Sequence, residues 1–229
     1  MSPPPLTIIV PMLNEEAGIT AALGALRPLD AEIVAVDGGS GDKSVALAAP
    51  LCDQLLRSPR GRARQMNAGA AAAHGDILLF LHADTVLPAQ ADRLVGEAIA
   101  GDACWGRFDV RIAGDSAWFP LIATLMNLRS RLTGIATGDQ AIFVKRTAFA
   151  QVGGFADIPL MEDIVLSQRL RQLGRPACLR QKVTTSGRRW EKQGVLRTVF
   201  TMWWLRLRFF FGTDPAKLAR EYGYAPEAQ

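Results

Sequence analysis

In LTIIVPMLNEEAGITAALGALRPLDAEIVAVDGGSGD, residues 6–42, two short apolar runs rich in β-branched residues flank a stretch with helical periodicity. LTIIV (6–10) and EIVAVD (32–37) read as strands. Between them Asn14 stands where an N-cap is expected, and Glu15 and Glu16 suit a helix dipole. Ile19, Ala22, Leu23 and Leu26 form one apolar stripe, and Pro28 stops the helix. Strand, helix, strand within one such unit is the pattern of a βαβ crossover, and hence of a parallel sheet. The pattern continues outward. DQLL (53–56) and DILLFL (76–81) are further strands, and 62–74 is an Ala-rich helix ended by Gly75. His74, just before that glycine, reads as a solvated residue at a helix end. Beyond residue 100 the periodicity is looser: CWGRFDVRI a strand, SAWFPLIATLMNLRSRL an amphipathic helix, AIFVK a strand, and EDIVLSQRLRQLG a helix closed by Gly174 and Pro176. The fold class expected is α/β, with a Rossmann-like, mostly parallel sheet flanked by helices.

With 229 residues, 49% hydrophobic and 21% charged, the chain is long enough for one substantial core and too ordinary in composition to be disordered. Cys52, Cys104 and Cys178 are odd in number, widely spaced and without a CxxC pair, which argues against a disulfide framework or a zinc site and favours a reducing, cytoplasmic setting. MSPPPLTIIVP lacks a basic leader and a long apolar run, so it reads as a first strand and not as a signal or spanning segment. The formal charge of +4 is unevenly placed: residues 1–179 carry 16 Lys+Arg against 18 Asp+Glu, residues 180–229 carry 10 against 4. A basic tail of this kind faces nucleic acid, a membrane surface or a phosphorylated substrate. No nucleic-acid recognition motif accompanies it.

In open α/β sheets, ligands bind beyond the carboxyl ends of the strands. Here those ends carry PMLNE (11–15), DGGSGD (37–42) and HADT (82–85), three loops rich in carboxylates and glycines. DGGSGD is neither a Walker loop nor a GxGxxG fingerprint, and a simple Gly-rich turn accounts for it equally well. Taken alone, Asp84 is better explained as a helix cap, Arg64 as a surface arginine, and the Glu162 and Asp163 pair as the acidic first turn of a helix.

Taken together, IIVPMLNEE, VAVDGGSGDKS, RGRARQMNAGA, LFLHADT, GDQAIFVKRTAF with VGGF, and LMEDIVLSQRL resemble, in this order, an inverting family-two glycosyltransferase of the GT-A fold. RGRARQMNAGA and the C-terminal FFFGTDPAKLAREYGY are similar to a bacterial subgroup of that family. The resemblance covers most of the chain and implies a GT-A domain over 1–190, followed by a helical segment over 191–229 that packs on the domain or on a membrane surface. It implies transfer of a sugar from a nucleotide-diphosphate donor, read as a UDP-sugar, to an acceptor hydroxyl, by a single displacement with inversion.

The same resemblance assigns residues. Pro11, Asn14, Glu15 and Asp37 are expected to hold base and ribose, with Arg64 close to the nucleotide. Asp84 occupies the last position of the family's acidic metal motif and is expected to hold Mg²⁺ or Mn²⁺ against the diphosphate, a hard cation on oxygen ligands. His82 replaces the first acid of that motif, and contact with ribose, binding of Mn²⁺ and holding the loop are all open to it. Asp163 matches the family's general base, with Glu162 assisting. Asp139 and Gln140 are expected on the acceptor side. SGRRWEKQG resembles the Arg-Trp motif of processive members, giving Arg188, Arg189 and Trp190 as acceptor candidates beside the reading of a solvated basic turn. VLRTVFTMWWLRLRFFFG (195–212) is too charged for a spanning helix. Leu196, Val199, Phe200, Trp203, Leu207 and Phe210 share one face, which either packs into the core or touches a membrane holding a lipid-linked acceptor, placing the protein at the inner face of that membrane. A nucleotidyltransferase on a similar fold and a non-catalytic nucleotide-sugar or lipid-binding module are the rival functions.

Overall fold

The computed structural model describes residues 5–224, without the side chains of Arg189, Lys192, Gln193 and Leu196. Eight strands form one sheet: β1 (Leu6–Met12), β2 (Glu32–Asp37), β3 (Gln54–Arg57), β4 (Ile77–Phe80), β5 (Thr85–Val86), β6 (Trp105–Ala113), β7 (Phe143–Lys145) and β8 (Ala177–Ser186). Their spatial order is β3-β2-β1-β4-β7-β6-β8-β5. The half built from β3, β2, β1 and β4 is entirely parallel, whereas β7 pairs antiparallel with both β4 and β6, and β5 antiparallel with β8. The helices are α1 (Ile19–Gly24), α2 (Ser44–Ala48), α3 (Arg62–Ala72), α4 (Ala91–Ala100), α5 (Phe119–Thr133), α6 (Arg146–Gln151), α7 (Glu162–Leu170), α8 (Arg188–Gln193), α9 (Val195–Phe210) and α10 (Pro215–Glu221).

The parallel half is apolar on both faces, which is why its strands read as unbroken hydrophobic runs. Ile8, Val10 and Ile33 join Ile19, Leu23 and Val95 in one core layer, while Ile9, Val34 and Val36 join Ala63, Met66 and Leu166 in the other. Each fully buried Ile or Val of this kind contributes roughly 1.5–3 kcal/mol. Helix α3 lies close on the sheet because Gly69 faces it: a Cβ there would come within 2.5 Å of Ile9 Cγ2.

Several expectations are revised. Asn14 caps no helix. It sits in the left-handed region at φ 54°, and α1 starts only at Ile19 with Gly18 at its N-cap. His74 is not simply solvated: its Nδ1 lies 2.6 Å from Glu32, whose carboxylate also accepts from Thr7 at 2.6 Å and Gln54 at 2.7 Å. Burial raises the Glu32 carboxyl, and these donors overcome that and bring it down to about 2. In α9 the stripe of Phe200, Trp203, Leu207 and Phe210 points outward. The side that packs is the one carrying Leu205 and Phe209, set against Met161, Ile164 and Leu218.

Candidate active site

The sheet sets the position of the site. Chain order reverses direction at β1, with β2 on one side and β4 on the other, so a crevice opens beyond their carboxyl ends. A cleft of about 190 Å³ lies there, lined by Pro11, Met12, Leu13 and Glu15 from the β1 loop, His82, Ala83 and Asp84 from the β4 loop, and Arg62, Gln65 and Tyr224. The first loop is tied to the glycine-rich one: Asn14 N donates to Ser40 Oγ at 2.9 Å, Glu15 N to Ser44 Oγ at 2.7 Å, and Gly41 N to Asn14 Oδ1 at 2.9 Å. Asp37 is buried beneath them and accepts from the amides of Gly39 at 3.1 Å and Ser40 at 3.0 Å. Gln65 fastens α3 to the strand ends by donating to Met12 O at 2.9 Å and Val36 O at 2.8 Å.

A smaller adjoining cavity is lined by His82, Gly138, Glu162, Asp163 and apolar neighbours. Met161 precedes α7 in the left-handed region, so the helix opens abruptly on its two acids. Asp163 accepts from Gly138 N at 2.8 Å and from Ile164 N at 2.7 Å. Burial pushes the Asp163 carboxyl up against these bonds. Burial and then Asp163 push Glu162 up to about 7, with Arg62 pulling the other way. Arg62 itself would be lowered by desolvation, but Glu162, Asp139 and Asp163 raise it and keep its charge in the cleft. Glu15 is raised by burial and by the carboxylate of Asp84.

His82 borders both cavities. Its Nδ1 lies 3.6 Å from Asp139 Oδ1, and its ring lies so close to Gly138 that a Cβ at that position would overlap it. Asp139 would be raised by burial, but His82, Arg62 and Arg129 hold it below its ordinary value.

Other assigned residues lie apart from the cleft. Arg64 donates Nε to both carboxylate oxygens of Asp157, at 2.8 and 3.1 Å, while Arg62, two residues earlier, reaches the cleft. Two residues on a helix are about 200° apart, so only one of these arginines can face the site. Asp37 spends its carboxylate on its own loop and lines no part of the cleft. Gln140 does not face an acceptor: it is 0% exposed, accepting from Thr137 N at 3.3 Å and donating to Asn127 Oδ1 at 3.4 Å. Trp190 is likewise drawn inward, onto the cluster of Ile112, Phe119 and Ala123. Arg188 bonds to Ser186 Oγ at 3.0 Å and is near enough to lower the Glu15 carboxyl. The side chain of Arg189 lies outside the described residues.

Arg62, Gln65 and Tyr224 were missed. The signal for the first two was present: Arg62, Gln65, Met66 and Gly69 follow helical spacing, and the glycine marks the face that meets the sheet. Nothing local points to Tyr224, which comes from the far end of the chain and stacks under Arg60 at 5.9 Å.

Residues 7–153 match the sequence model of glycosyl transferase family 2, and the chain belongs to that family. It is 32% identical over 171 residues to a "PGL/p-HBAD biosynthesis glycosyltransferase" of Mycobacterium bovis and to one of Mycobacterium tuberculosis, a span of 68% of this chain and 64% of each relative. The chain thus spans less than two thirds of the length of these curated relatives. Among solved structures, S. aureus TarS 1-349 in complex with UDP superposes with a TM-score of 0.65 at 18% identity, over 79% of this chain and 60% of that one. Mannosyltransferase PcManGT from Pyrobaculum calidifontis, in complex with GDP-Man and Mn²⁺, does so at 0.61 and 21%, over 79% and 56%. The fold is accordingly the α/β fold of the GT-A glycosyltransferases.

Proposed function

We propose that the protein transfers a sugar from a UDP-sugar to an acceptor hydroxyl by one displacement with inversion. The observation that carries this reading is the pair of Glu162, buried, and Asp163, half-buried, at the mouth of α7, bordering the same histidine as the nucleotide cleft. Asp163 is the base. Two backbone amides fix its carboxylate, and burial makes it a stronger proton acceptor than a solvated aspartate. As the acceptor oxygen bonds to the anomeric carbon, its proton passes to Asp163 and the bond to the nucleotide diphosphate breaks on the opposite face. Glu162 sits beside the base, and Arg62 faces the departing diphosphate with a charge its carboxylate neighbours maintain. Pro11, Asn14 and Glu15 shape the nucleotide end, where Asp37 acts through the loop it holds. His82 positions the turn bearing Asp139.

Among the described residues no three His, Cys, Asp or Glu side chains form a metal cage. Asp84 is an exposed carboxylate on the cleft wall with Glu15 in electrostatic range. That donor set fits a hard divalent cation, Mg²⁺ or Mn²⁺, completed by phosphate oxygens and water, and unsuited to a permanently caged one. Held by Asp84, the cation would neutralise charge on the leaving diphosphate. The aromatic, basic segment over 191–229 favours a lipid-linked acceptor and a peripheral membrane contact.

The test is Asp163→Asn. The Oδ1 of Asn can still accept a hydrogen bond from Gly138 N or Ile164 N, so a merely structural Asp163 would leave turnover within a few-fold of wild type. As the base, its loss lowers turnover ~10²- to 10⁴-fold while metal-dependent donor affinity by calorimetry stays the same. Normal turnover in this variant would remove Asp163 from the mechanism.

A further inference from the structure

Helix α5 is built inside out. Its packed side carries Asn127 and Ser130 beside Phe119 and Ala123, while Trp118 and four leucines at the 3-4-3-4 spacing of one helical stripe, Leu121, Leu125, Leu128 and Leu132, lie in solvent, the last 78% exposed. Asn127 is needed inside because its side chain bonds both backbone groups of Val110, at 2.8 and 3.0 Å. Nothing in the fold requires the leucines outside. Five large apolar side chains in one stripe exceed the scattered exposure of an ordinary surface helix and mark a contact.

A second such stripe, Phe200, Trp203, Trp204, Leu207 and Phe210, runs along α9. The two helices share both ends. Val195, the first residue of α9, packs on the cluster of Phe119 and Ala123 at the start of α5, and Leu205 and Phe209 belong to the cluster that receives Ile135, just beyond the end of α5. The same Leu205 cluster contains Met161 and Ile164, the residues on either side of Glu162 and Asp163.

Charge identifies what covers this face. Of the arginines on these helices Arg131 and Arg197 are exposed, the first also paired with Asp109, while Trp118, Trp203 and Trp204 expose their indoles and neither helix holds an acidic residue. Exposed Trp and Phe among arginines suit the headgroup region of an anionic bilayer, where indole rings and guanidinium groups are both satisfied. No helix among the described residues is long and apolar enough to cross a membrane, so the contact lies on its surface. We infer that α5 and α9 form one face that seats on an anionic phospholipid bilayer, with the Glu162 and Asp163 pair anchored directly to it. For the acceptor alone this rests on the transferase reading above: a lipid-linked hydroxyl would reach Asp163 from the bilayer on which the catalytic helix is seated. α5 is the new element, because no aromatic run or basic tail marks it.

The experiment is co-sedimentation of the full chain with phosphatidylcholine vesicles with and without phosphatidylglycerol, alongside calorimetry of UDP with Mn²⁺. The wild type should partition to the anionic vesicles and be released as salt is raised. Leu128→Glu with Leu132→Glu should lower partitioning tenfold or more although the C-terminal segment is untouched, with UDP affinity unchanged. A milder measurement guards against misfolding: quenching by brominated lipid in a Trp203→Phe, Trp204→Phe protein should fall further when Trp118→Phe is added. Absence of binding to anionic vesicles at low salt overturns the proposal, as does wild-type partitioning by the α5 variant. A concentration-dependent dimer that the α5 variant disperses also overturns it and assigns the face to a second copy. Loss of UDP affinity in the wild type itself counts against the transferase reading and leaves the membrane result standing.

Discussion

Glu162 is 5% exposed and its carboxyl is pushed up to about 7, first by burial and then by Asp163. A folded-state value above the unfolded one means that the stability linked to this group is complete below pH 4.5 and is lost as pH rises through 7. The loss is on the order of 3 kcal/mol, since one pKa unit is ~1.4 kcal/mol. Glu162→Gln, which mimics the protonated acid, should therefore raise the melting temperature at pH 8 and match the wild type at pH 4.5. Equal melting temperatures at both values would show that the carboxyl is not held up. Stability given up at a carboxylate pair is what a reaction site needs and a helix cap does not. At this scale the sequence reveals residue types better than orientations. The carboxylates are visible at 15, 84, 162 and 163, and Glu15 and Asp84 line the cleft while Glu162 and Asp163 line its neighbour. The choice of Arg64 over Arg62 could not be made correctly without knowing which side of α3 meets the strands, and Gln140 looked like a binding group until its amide was found closing its own turn.

Among the elements, the short turn Gly138–Gln140 connects Asp163 to His82, the residue that borders both cavities. It donates Gly138 N to Asp163 and sets Asp139 beside His82. Because the His82 ring occupies the space a Cβ at 138 would need, Gly138→Ala must move the turn or the ring. Overpacking of this kind typically costs ~1–3 kcal/mol. Turnover should fall at least tenfold while circular dichroism and metal-dependent UDP affinity stay close to wild type. Full activity would show that the turn does not set the base. The strands that carry the site were legible because strands buried on both faces are long apolar runs, as β1, β2 and β4 are. β8 was not. Its ACLRQKVTTS is polar over most of its length, and it pairs with β6 through a register shift at Phe108 and Asp109 that breaks any simple alternation. The exposed faces of α5 and α9 illustrate the same limit, since amphipathicity shows that a stripe exists but not whether it turns in or out.

Across the whole molecule, the larger cleft collects groups from separate parts of the chain: the β1 loop, the start of α3, the β4 loop and Tyr224 beyond α10. A ligand bound there joins the parallel half of the sheet to the C-terminal helices, so its binding energy adds to the stability of the entire fold. At a free ligand concentration 100 times its dissociation constant the gain is ~2.7 kcal/mol. For a chain of this size that corresponds to a rise of roughly 5–10 °C in melting temperature. UDP with Mn²⁺ should give such a rise and UDP with a chelator much less, because without the cation the diphosphate faces the carboxylates of Asp84 and Glu15 unscreened. Asp84→Ala should remove the dependence on metal while leaving the smaller shift due to UDP alone. It should even strengthen binding without metal, since one of the two repelling carboxylates is gone. That opposite sign separates a metal ligand from a carboxylate that only supports its loop, since Asp84 precedes β5 and the N-cap of α4 is Gln90: loss of a supporting group lowers the starting melting temperature by a fixed amount and leaves the difference between the metal and chelator arms as it was. A metal-dependent shift of the same size in Asp84→Ala and wild type would take Asp84 out of the metal site and leave Glu15 as the nearest carboxylate in the cleft.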